Sequence, residues 1–233
     1  MHKSQNQKNH SVYDVLWLSG KQLFKRLPFW VRTNFWFVLL SIPIITSPGA
    51  KAALYVTINA GLRDPGESRV KIEKVFKQAF FQYFKQGLVV SLINFALLVL
   101  ILFSLYFWVS QDQLALNLVS VIAIYFLVLW FLVQPFLYPV MVDHQNLPVF
   151  QVFKQSFLLA VKNPLVAFTF SLTNTFLTLI GIVLLGPVIL VVPVFIGMIS
   201  TQCYWILTDQ TIPDWVDPVA YQNQLAQNET DEV

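Results

Sequence analysis

Residues 163–208 carry no charged side chain. A helix needs roughly 20 apolar residues to cross a bilayer, so this stretch has room for two crossings. Gly186-Pro187 supplies a natural break between them. Two more uncharged runs precede it, at residues 86–111 and 113–142. Charged residues make up 12% of the chain, about half the share found in ordinary soluble domains. Its 21 Phe and 7 Trp suit a chain that meets both lipid and headgroups. The class that follows is an all-α, polytopic membrane protein.

A pattern recurs three times along this chain. Gln22-Leu23-Phe24-Lys25 is followed by Asn34, Gln82-Tyr83-Phe84-Lys85 by Asn94, and Leu159-Ala160-Val161-Lys162 by Asn174. Each copy reaches a Tyr late in its apolar text: Tyr55, Tyr138 and Tyr204. The reading is three tandem hairpins, at about residues 29–63, 87–142 and 164–208. Six membrane segments result, near 29–46, 50–63, 87–110, 114–142, 164–185 and 187–208. Residues 1–28 form an N-terminal cytoplasmic or interfacial helix, 29–208 the membrane domain, and 209–233 an acidic cytoplasmic tail. The polar residues 1–11 do not have the apolar core of a signal peptide. Pro135 and Pro139 are expected to kink the fourth segment.

Basic residues set the expected orientation. Six of the 15 Lys and Arg lie in residues 1–32 and seven in 51–85, with Lys154 and Lys162 completing the set. Short cytoplasmic loops retain such residues. Treating 29–64 as a hairpin, crossing or re-entrant, puts every one of them on the cytoplasmic side except Lys51, which falls at the outer turn. Gln111-Asp112-Gln113 makes a second outer turn. The protein is thereby expected in a cytoplasmic membrane, with both termini inside.

Three cytoplasmic stretches have helical periodicity. Val12, Leu16, Leu23 and Leu27, with Tyr13, Trp17 and Phe24, form one apolar face; Ile72, Val75, Phe76, Ala79, Phe80 and Tyr83 form another; residues 148–161 give the third. Helices of this kind lie in the headgroup layer, aromatic face down. Lys74, Lys77 and Lys154 are then candidates for lipid or partner contact. Sidedness accounts for the basic residues, so no nucleic-acid role is expected.

Ionisable groups in the bilayer are costly and usually functional. The expected segment cores hold no charged residue, which argues against a carrier coupled through buried carboxylates. His2, His10 and His144 are too scattered for a metal triad. A single Cys leaves no internal disulfide, and neither a nucleophile elbow nor a phosphate-binding loop occurs. No catalytic, cofactor or metal residue is expected. Asn34, Asn94 and Asn174 remain, either as hydrogen-bonding glue between helices or as the lining for a neutral solute such as a sugar. Asp143, His144 and Asp209 lack the pairing of a catalytic group.

The first hairpin reads Asn34-Phe35-Trp36, then Ser41-Ile42-Pro43-Ile44-Ile45-Thr46, then Ala52-Ala53-Leu54-Tyr55. This text resembles the YesL-like family, small bacterial integral membrane proteins of unknown function. Val75-Phe76-Lys77-Gln78 and Phe84-Lys85 suit the same pattern. The distinctive text falls mostly in residues 29–90. The resemblance implies a bacterial inner membrane and, by association with neighbouring systems, carbohydrate uptake; it supplies no catalytic residues. Two roles are expected: a non-enzymatic accessory partner of a membrane transporter complex, or a facilitative transporter or channel for a neutral solute.

Overall fold

The computed structural model describes residues 12–63, 72–111, 118–144, 147–183 and 191–213. Every regular element among the described residues is helical: α1 (Val12–Lys25), α2 (Leu27–Ser41), α3 (Ser47–Arg63), α4 (Ile72–Val109), α5 (Ser120–Asp143), α6 (Val149–Lys162), α7 (Pro164–Val183) and α8 (Val192–Leu207). The Gly186-Pro187 break, Asp112 and Gln113 of the expected turn, and the tail from Asp214 lie outside the described residues. Helices α4, α5 and α7 are long and apolar enough to cross a membrane, and α8 is a shorter apolar helix. The chain is an all-helical membrane protein.

Proline placement follows helix chemistry. Pro28, Pro164 and Pro193 occupy the first turns of α2, α7 and α8, where a missing N–H breaks no helical bond. Pro135 and Pro139 lie inside α5, which continues through both. Proline 135 leaves the carbonyl of Phe131, four residues back, without its helical donor. The hydroxyl of Ser171 on α7 donates to that carbonyl at 3.0 Å, so a defect in one helix becomes a tie to the next.

Helices α3, α5 and α8 pack on one another at the centre. Ala50, Ala52, Ala53, Ile58 and Leu62 of α3 have no accessible surface, and small residues of this kind let helix backbones approach closely. Outside this core, α2 lies on α3, α4 on α3 and α5, and α7 on α5 and α8. Leu92, Phe95, Leu100, Phe103 and Tyr106 of α4 are exposed, as lipid-facing residues should be.

The expected split between an amphipathic helix at 70–85 and a span beginning at 87 does not occur. Residues 72–109 form one helix, because nothing between them breaks it: there is no Pro, and Gly87 is tolerated. Ile72, Phe76, Ala79, Phe80 and Tyr83 are buried, and this half of α4 packs on α3 rather than lying on headgroups. A similar change affects α1. Its Val15, Leu18, Ser19, Gln22 and Leu23 are buried on the bundle while Tyr13, Trp17 and Phe24 are exposed. Ser19 donates to Gln202 of α8 at 3.2 Å, Gln202 donates to Gln22, and Gln22 donates to the Pro213 carbonyl at 2.9 Å. α1 is thereby fastened to α8, with its aromatic face left exposed.

The tip of the α2–α3 pair meets α4 partway along its length. A Cβ on Gly87 would lie 3.0 Å from the Pro48 carbonyl oxygen, and one on Gly49 would lie 2.8 Å from the Phe84 ring. The tip therefore abuts residues 80–87 of α4. From there α4 climbs 22 residues to Val109, about 33 Å at 1.5 Å per residue. Lys51, one turn past the tip, accordingly lines a cavity between helices.

Candidate functional site

A cavity of about 730 Å³ lies between α3, α5, α7 and α8, within the range that holds small ligands. Lys51 and Tyr55 of α3, Gln134 and Tyr138 of α5, and Ser171, Asn174, Thr175 and Thr178 of α7 supply its polar lining. Phe37, Leu54, Trp130, Leu179, Ile182, Val192 and Ile196 supply the apolar part. It opens along α7, where Thr175, Thr178, Leu179 and Ile182 are exposed.

Its polar floor is assembled by contacts between helices. The Tyr55 and Tyr138 rings stack, 5.5 Å apart and 13° from parallel. Ser200 of α8 neighbours Tyr55 and Ser91 of α4 neighbours Tyr138, so four helices meet at the pair. The Lys51 ammonium lies 5.9 Å from the Tyr138 ring centroid, within reach of a cation–π attraction. Asn174 donates to Ser200 at 3.0 Å, and its buried Oδ1 has no hydrogen-bond partner among the described residues.

The three asparagines do not meet around one cavity. Asn94 forms a reciprocal amide pair with Gln134, both bonds 3.1 Å, and accepts from Trp130 Nε1 at 2.9 Å. Asn34 is fully buried on α2 and does not line the cavity. Asn174 alone reaches it. Lys74, Lys77 and Lys154 lie exposed on α4 and α6, and Lys77 sits 5.1 Å from the Trp36 ring centroid. Lys51 was not among the neutral residues expected to line a path. Lys51 had a signal in the sequence, as the one basic residue that sidedness did not explain.

A second polar cluster closes the bundle where α3, α5 and α8 end. Asp143 accepts from the Tyr204 hydroxyl at 2.8 Å and from Gln210 Nε2 at 2.9 Å. Arg63 stands 3.8 Å from the same carboxylate, donates to Asn59 at 2.8 Å and to Gln210 at 2.7 Å, and covers the Trp205 ring at 4.9 Å. The end of α8 explains how Gln210 arrives. Asp209 has φ 56°, and the N–H groups of Asp209 and Gln210 return to the carbonyls of Ile206 and Trp205. That is a Schellman motif, with Asp in the left-handed position that Asp tolerates better than most residues. Asp143 and Asp209 are thus a hydrogen-bond hub and a turn residue, and His144 is exposed. Among the described residues no three His, Cys, Asp or Glu are grouped to hold a metal.

No curated protein and no solved structure matches the chain. Residues 30–106, from α2 to near the end of α4, match the family described as "Protein of unknown function, DUF624", which includes the YesL-like proteins.

Proposed function

We propose that this is a non-enzymatic protein of the bacterial cytoplasmic membrane that admits a small polar solute to the cavity beside Lys51, as a facilitative transporter. The observation that carries the reading is the cavity itself: ligand-sized, open along α7, and floored by the stacked Tyr55 and Tyr138. The Asp143 cluster closes the far side of that floor, as a path with one open and one shut end requires. The protein reconstituted in liposomes should exchange at least one of glucose, gluconate and glucose 6-phosphate faster than empty liposomes. Filling the cavity with Thr178→Trp should return that exchange to background. Exchange unaffected by Thr178→Trp, or none with any of the three, sinks the reading.

A second reading is an accessory partner of a membrane complex, carbohydrate uptake being the associated context. The exposed Lys74 and Lys154 and the exposed aromatic face of α1 favour it. Co-purification lost on charge reversal at both lysines, with insertion intact, is the expected result.

In this proposal both termini face the cytoplasm, and α2–α3 is re-entrant from that side, its tip level with residues 80–87 of α4. An impermeant maleimide added to intact cells should modify Gln111→Cys and leave Ile44→Cys untouched. The native Cys203 is buried and gives little background. Equal labelling at the two sites would show that the tip crosses to the outside.

A further inference from the structure

Among the described residues the cavity lining has one charged side chain, Lys51, and no acidic one. Lys51 keeps open surface while lining a cavity whose other walls are neutral amides, hydroxyls and hydrocarbon. Among the described residues no carboxylate lies within ion-pairing distance of it. The ion pairs among the described residues include Arg32 with Glu73, on α2 and α4, and Arg63 with Asp143, on α3 and α5. Tyr138 offers its ring face, which attracts a cation without neutralising it. An ammonium lining a cavity between apolar helices, with no counter-charge among the described residues, marks a place where charge is supplied from elsewhere.

Resting on the solute reading, we infer that the cavity takes a small organic anion. Its carboxylate or phosphate pairs with the Lys51 ammonium, and its hydroxylated body meets Gln134, Asn174, Thr175 and Thr178. The neutral side chains alone accept a neutral sugar as readily; the lysine is what distinguishes the anion. One ammonium matches one acidic group, so the expected occupant carries a single such group.

The test holds the body constant and varies the charge. The full-length protein in phosphatidylcholine nanodiscs is melted with glucose, gluconate or glucose 6-phosphate at equal ionic strength. Gluconate or glucose 6-phosphate should raise the Tm by about 3 °C or more at saturating concentration, and glucose should not. Lys51→Gln should abolish that shift and Lys51→Arg should keep it. If Lys51→Gln does not fold, the comparison of gluconate with glucose decides alone. Glucose matching gluconate, both indifferent to Lys51→Gln, would overturn the anion while leaving the solute reading in place. A shift seen only when the nanodiscs contain phosphatidylglycerol, and lost in Lys51→Gln, keeps the anion and assigns it to a lipid headgroup, against the solute reading. No shift with any probe or lipid overturns both.

Discussion

Asp143→Ala should lower the unfolding free energy by about 2–4 kcal/mol, the largest loss expected from one polar residue here. The carboxylate accepts two charge-assisted hydrogen bonds, from Tyr204 and Gln210, and such bonds contribute about 1.5–3 kcal/mol each. The partial exposure of the site brings the sum down. The Arg63 ion pair adds little: at 3.8 Å, with the arginine side chain 53% exposed, it resembles surface pairs measured near zero. The effect is therefore one of unpaired donors rather than of lost Coulomb attraction. Asp143→Asn keeps an acceptor oxygen and should lose roughly half as much. In a thermal melt of detergent-solubilised protein, a loss of 2–4 kcal/mol corresponds to about 5–10 °C for a chain of this size. An alanine variant melting within about 1 °C of the parent would mean that the cluster does not join the three helices. Because the cluster closes one end of the path, the same variant should also speed solute exchange in liposomes. A stability loss without faster exchange would confine the cluster to a structural role.

Much of the architecture could be read from residue order, and the misreadings have identifiable causes. Charge-free runs marked α4, α5, α7 and α8, since apolar length is what a bilayer demands. Tyr55, Tyr138 and Tyr204 were visible too, yet their partners were not. Tyr55 and Tyr138 stack on each other while Tyr204 turns to Asp143, an inequality that only packing decides. Periodicity found the apolar face of residues 72–83 correctly but assigned it to headgroups. A 3.6-residue repeat says that one face is buried and is silent on whether lipid or α3 buries it. The asparagines show the same limit. Composition gave three equivalent residues, and the structure uses Asn94 on an amide and an indole, and Asn174 on a hydroxyl at the cavity wall. Lys51 was the opposite case: an exception to sidedness whose meaning required knowing that the tip of α2–α3 stops beside Gly87.

Gly87→Leu tests that stopping point, and it should destabilise the protein by about 2–3 kcal/mol. Two effects oppose each other. Replacing a helical glycine gains roughly 1 kcal/mol in propensity, because α4 is regular through this position. Against that, even a Cβ would sit 3.0 Å from the Pro48 carbonyl oxygen. This neighbour is backbone and cannot rotate aside. It is held by the start of α3, where the Ala50 N–H donates to the Thr46 carbonyl at 3.0 Å and Gly49 rests on Phe80 and Phe84. A leucine side chain adds three carbons beyond that Cβ, and overpacking of a rigid contact outweighs the propensity gain, by analogy with core insertions that cost about 1–3 kcal/mol or more. Gly20→Ala supplies the contrast. Its Cβ would meet nothing within 4 Å, so only the propensity effect acts, and a gain of about 0.5–1 kcal/mol is expected. Melting both variants in the same detergent separates the contact from the residue type. Opposite signs would place Pro48 against Gly87 in the folded protein. A Gly87→Leu variant as stable as Gly20→Ala would put the α2–α3 tip elsewhere, and would remove the reason for Lys51 to line the cavity.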